Sequence, residues 1–208
     1  MKESLYKLIE LFVLFVIIPV TLVINLSIRL KIGIALIGLI YTVVLLVRNL
    51  KMNFRISKQI EWLKFFKHLS VKFLVLILLT TFYVYVYNRE NLFGVISKDP
   101  KVWLFFSFVY VFCSVYPQEV IYRTFFFMRY KALFKNETML ILVNAALFSL
   151  AHLFFRNALV MILTFLGGIV FALTYHKTKS TLLVAIEHAI YGCWLYTVGM
   201  GEMLGFPT

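Results

Sequence analysis

Charge is what this sequence has least of. Only 14% of its 208 residues are Asp, Glu, Lys or Arg, where a soluble domain carries about 25%. Hydrophobic residues make up 62%, against about 45–50% in soluble proteins, and the mean hydropathy is +0.93. A soluble fold leaves much of its surface to water and cannot hide such a surplus. The same numbers exclude a disordered chain. Cysteine is nearly absent: Cys113 and Cys193, both in apolar stretches, make neither a disulfide framework nor a cysteine zinc site. No small-x-small cleavage site follows Lys2, Lys7 and the first apolar run, so the first 26 residues read as an uncleaved helix. Acids are scarce as well, nine against 21 Lys and Arg, for a net charge of +12. No nucleic-acid partner is expected, because these bases lie mostly between long apolar runs rather than on one basic face. They read as a topology signal and an attraction to anionic lipid.

What the chain has in quantity is apolar sequence. Seven runs are long enough, or nearly so, to cross about 30 Å of hydrocarbon as helices. They lie near Leu8–Leu26, Ile32–Val47, Val71–Tyr87, Val102–Met128, Met139–Phe155, Leu159–Tyr175 and Leu182–Val198. The expected fold is therefore an all-α polytopic membrane protein. The fourth run is too long for one straight span, and Pro117 is expected to kink it or start a fresh turn. The stretch Arg48–Lys72 holds seven bases and one acid, Glu61. Within it Trp62, Phe65, Phe66 and Leu69 take one helical face and Lys58, Glu61, Lys64 and Lys67 the other, which predicts an interfacial helix near 57–69. With the N-terminus cytoplasmic, the inner side collects 14 bases and the outer side six (Arg29, Lys31, Arg89, Lys98, Lys101 and Arg156). By function the sequence divides into N-terminal spans, 1–101, and a core, 102–208.

Ionisable groups inside such runs are costly and mark function by default. Glu119, Glu187, His152, His188 and Arg123 read as the embedded set, and Glu10 is grouped with the acids of loops and termini. From about 1.5 Å of rise per residue, Glu119, His152 and His188 are expected at depths that let them meet. Glu119 and Arg123 share a helix face, as do Asn144, Phe148 and His152. Gly167 and Gly168 are expected to permit close helix approach.

The order Gln118-Glu119-Val-Ile-Tyr-Arg123, Phe148-Ser-Leu-Ala-His152 and His188 resembles the CPBP family, the CAAX prenyl protease 2 and bacteriocin-processing membrane proteases. That family's pattern is EExxxR, FxxxH and HxxxN/D in successive helices, and the resemblance covers roughly Val102–Val198, the last four spans. It implies a glutamic-type intramembrane endopeptidase in which a glutamate activates water, while histidines and an asparagine position it and stabilise the oxyanion. Gln118 replaces the first glutamate, and Gly192 stands where Asn or Asp follows His188. Either Glu119 is then the base, or Glu187 supplies the carboxylate from the last helix. The arrangement favoured from sequence has Glu119–Arg123 as a fixed pair, with Glu187, His152 and His188 around the water. Gln118, Phe148 and Asn144 support it, and Asn144 is a candidate for the missing amide.

Two histidines and a glutamate would suffice for a catalytic zinc, but HExxH is absent and the resemblance implies no metal, so no cofactor is expected. The substrate is expected to be a membrane-associated peptide or protein, in a bacterial plasma membrane. The rival is a catalytically inactive relative that binds a partner or confers bacteriocin immunity, which Gln118 and Gly192 favour. A proton-relaying transporter ranks last, because the outer halves of the spans are almost wholly apolar.

Overall fold

The computed structural model describes residues 2–49 and 61–207. Among them there is no strand, and seven helices are long and apolar enough to cross a membrane. They are α1 (Lys2–Thr21), α2 (Ile28–Arg48), α3 (Trp62–Tyr87), α4 (Pro100–Leu133), α5 (Glu137–Phe155), α6 (Ala158–Thr178) and α7 (Thr181–Met200). Their outer faces leave large apolar side chains open, with Ile37 at 68%, Leu63 at 87% and Phe82 at 69% exposure. Isolated exposed apolar residues are ordinary on a soluble protein; whole helix faces of them belong against lipid. This is an integral membrane protein.

Short polar side chains start these helices by accepting the first free backbone N–H groups. Ser27 caps α2, Asn136 caps α5, Asn157 caps α6 and Ser180 caps α7. Asp99 caps α4 through Lys101 and Val102, with Pro100 at the first helical position, where its missing N–H costs nothing.

Helix α3 revises the expectation of a separate surface helix. Residues 62–69 are its first two turns, continuous with the span, while 51–60 lie outside the described residues. The amphipathic spacing is real, but it marks where the span begins: Leu69 is buried while Trp62 and Phe66 stay exposed. Helix α4 differs from expectation as well, because it runs through Pro117 without a break. It widens instead into π-helical stretches at Tyr110–Val115 and Val120–Phe125, on either side of the short α-turn Tyr116–Glu119. Proline donates no hydrogen bond and crowds the turn before it, and π-helical turns commonly absorb such a defect, frequently at functional sites.

The chain divides into two compact units. One comprises the described residues of Met1–Arg55 with Gln118–Lys179, the other those of Ile56–Pro117 with Ser180–Thr208. Both take sequence from either side of residue 101.

In the first unit α5 and α6 pack tightly. A methyl group on Gly168 would stand 3.0 Å from the Cα of Ala145, so a side chain there would need the helices to part by a few tenths of an ångström. Gly167 instead faces Phe171 of its own helix. Helix α1 docks through Phe15, whose ring meets Tyr122, Phe126 and Tyr130 edge-on. Beside it Glu10 is buried, taking both Nε and Nη2 of Arg129 at 3.0 and 2.7 Å and the Tyr130 hydroxyl at 2.8 Å. The expectation that Glu10 is a peripheral acid is therefore corrected. It sits inside the first span and needs a cation because hydrocarbon and protein offer its charge no water.

In the second unit α7 is tied to α3 by Trp194 Nε1 donating to Thr80, and to α4 by Trp103 Nε1 donating to Thr197.

Candidate active site

The first unit holds six of the candidate site residues read from the sequence. Glu119 ends the short α-turn of α4, and Arg123 follows within the π-helical stretch; both are fully buried. Arg123 Nε lies 3.3 Å from Glu119 Oε2. The guanidinium lies over the ring of Phe148, 4.5 Å from its centroid, and 5.7 Å from that of Phe171. Arg123 Nη1 and Nη2 find no hydrogen-bond partner among the described residues. Aromatic faces thus do much of the work of holding this buried cation. The phenylalanine of the second motif has a physical role: it supports the arginine of the first.

Asn144 is also fully buried, and its amide donates to the carbonyl of Tyr122 at 2.6 Å. That carbonyl lies in the π-helical stretch, so Asn144 holds the widened turn that carries Arg123. His152 lies within α5, past its regular turns that end at Leu150, with φ −95° and ψ 3°, in the bridge region where active-site residues are often found. Its Nδ1 lies 2.8 Å from the carbonyl of Phe148. A carbonyl can only accept, so Nδ1 carries the proton and Nε2 is the basic nitrogen. The ring also packs on Phe148 and Phe155. Gln118, part-buried, precedes Glu119.

The second unit carries Glu187 and His188, both buried in α7. Consecutive helical residues point about 100° apart, and these two meet different neighbours. Glu187 faces α3: its Oε1 takes an ion pair from Lys72 and a hydrogen bond of 2.9 Å from the Tyr191 hydroxyl, one turn on. Tyr191 is fixed in turn by stacking on Phe73, with rings 6.1 Å apart and 9° from parallel. His188 faces α4, with the edge of Tyr110 6.1 Å away and the rings 83° apart. Gly192 extends the His188 face by one turn, and the Tyr110 hydroxyl lies against it.

Lys72, Tyr191 and Tyr110 are absent from the residues singled out by sequence. Tyr191 was legible as the i+4 neighbour of Glu187, and Lys72 as the last base before the uninterrupted apolar run of α3. Tyr110 carried no local signal. Among the described residues no three His, Cys, Asp or Glu side chains gather as metal ligands would.

A family model described as type II CAAX prenyl endopeptidase Rce1-like matches residues 100–194, just under half of the chain. No curated protein and no solved structure matches it. The matched stretch opens at the first residue of α4, ends at Trp194, and holds Glu119, Arg123, Phe148, His152, Glu187 and His188. The C-terminal part of this membrane protein therefore carries an Rce1-like domain of the CPBP protease family.

Proposed function

We propose that this protein is an intramembrane endopeptidase acting on a membrane-associated peptide or protein, with Glu119 as the base that activates water. The observation that carries this choice is the contrast between its two candidate carboxylates. Glu187 is held by a lysine and a tyrosine hydroxyl on a helix face that His188 does not share. Glu119 stands at the acid position of the first motif, 3.3 Å from Arg123, and that arginine is held from behind by Phe148 and Phe171. A carboxylate committed to a lysine and a tyrosine hydroxyl ties helices together, so Glu187 serves as the fixed pair and Glu119 as the base. This reverses the assignment favoured from sequence alone.

In the reaction Glu119 takes a proton from water, and the water oxygen bonds to the scissile carbonyl carbon. The C–N bond then breaks, and the proton passes to the departing amine. The family resemblance implies that the motif histidines, here His152 and His188, orient the water and stabilise the charge that develops on the carbonyl oxygen. Arg123 orients Glu119, while Asn144 and Phe148 keep Arg123 in place. Gln118, an amide, is a hydrogen-bonding neighbour and not a base. No metal or other cofactor takes part, so chelator-treated protein remains active; loss of activity with chelator and recovery with zinc would reverse that.

We place the protein in a bacterial plasma membrane, N-terminus cytoplasmic, its basic inner loops against anionic lipid. The test is a comparison of membrane peptides from cells carrying the wild type and His188→Ala. A peptide fragment present only with the wild type identifies the substrate. Identical peptide sets favour the second reading, an inactive partner-binding or immunity protein, which Gln118 and Gly192 support.

A further inference from the structure

Glycine inside a long helix costs about 1 kcal/mol relative to alanine, so Gly192 in the body of α7 calls for a reason. The reason is Tyr110. A methyl group on Gly192 would overlap the Tyr110 hydroxyl oxygen and stand 2.5 Å from the ring carbon Cζ. The tip of the tyrosine therefore fills the notch left by the missing side chain. Gly192 is one turn beyond His188 on the same face, and the ring of Tyr110 sets its edge against the His188 imidazole at 6.1 Å. Phe206 braces the tyrosine ring at 5.1 Å and itself stacks on Tyr196 at 4.2 Å. Tyr110 also opens the first π-helical stretch of α4.

We infer that Tyr110 is a positioning residue for His188, its hydroxyl standing where a polar side chain at position 192 would otherwise stand. In its effect on catalysis the inference rests on the hydrolase reading above; in its effect on His188 it does not. A polar tip delivered from α4 replaces one carried by α7, and the two are mutually exclusive because they need the same space. Gly192 and Tyr110 thus form a compensating pair, and the departure from Asn or Asp at 192 is a relocation of the polar group.

Tyr110→Phe tests this directly, since it keeps the ring and its packing and removes only the oxygen. Two readouts are needed on protein in lipid nanodiscs: cleavage kinetics, and the 15N imidazole resonances of His188, assigned by their loss in His188→Gln. The expected result is a fall in kcat of about 10- to 100-fold with KM unchanged, a displaced His188 resonance, and an unchanged melting temperature. Gly192→Asn alone is expected to abolish activity, and combining it with Tyr110→Ala to restore part of it. An unmoved His188 resonance in Tyr110→Phe overturns the inference, as does wild-type activity in Gly192→Asn. If the wild type cleaves nothing, the hydrolase reading fails while the resonance still decides the role of Tyr110.

Discussion

Three buried glutamates can be compared within one molecule. Glu10 is gripped by two nitrogens of Arg129 and the hydroxyl of Tyr130; Glu187 by Lys72 and the hydroxyl of Tyr191. Each pairs a cation from one helix with a carboxylate from another and adds a tyrosine. Glu119 and Arg123 are built otherwise, as an i, i+4 pair within a single helix, with aromatic rings behind the arginine. The first two join helices that are far apart in sequence. The third ion pair lies within α4, and its arginine packs on Phe148 and Phe171. Its ionic contact does not itself link two helices, and in the function proposed above Glu119 serves chemistry rather than assembly.

The comparison can be broken at each joint. Lys72→Met should have the largest effect on stability, about 3 kcal/mol or more, by stranding a buried carboxylate. Combining it with Glu187→Leu should recover most of that loss. Unfolding in mixed micelles measures both, and no recovery in the double variant would mean the pair is not the anchor described. Glu10→Gln should cost about 2–4 kcal/mol in the same measurement, somewhat less because Arg129 keeps partial access to solvent. The cleavage rate per folded molecule should not change. Gly168→Val should cost about 1–3 kcal/mol by forcing α5 and α6 apart against the Ala145 backbone. Asn157→Ala should be mildest, about 1 kcal/mol, through loss of the α6 cap.

The spans, their number and most of their ends were legible because each depends on local sequence: apolar length, a capping Ser, Asn or Asp, a proline at a first turn. The motif residues were legible for the same reason, as helix spacing puts Glu119 near Arg123 and Phe148 near His152. What sequence hid was which distant helix answers each charge. Glu10 looked peripheral because its partner is 119 residues away, and Glu187 looked available because Lys72 read as a surface base. Tyr110 was hidden for a further reason. A π-helical turn changes the face a side chain takes, and nothing in the residues before Pro117 announces where α4 will widen. The amphipathic stretch near 57–69 was legible in its spacing but not in its extent: residues 62–69 are continuous with α3, and 57–60 lie outside the described residues.

The central claim is that Glu119, and not Glu187, activates the water. It is tested most directly by single-turnover cleavage of an identified membrane peptide in vesicles, comparing Glu119→Gln with Glu187→Gln at matched amounts of folded protein. The account predicts that Glu119→Gln is slower than wild type by about 10²- to 10⁴-fold, with Glu187→Gln within about tenfold of it. Cleavage by Glu119→Gln at the wild-type rate would contradict it.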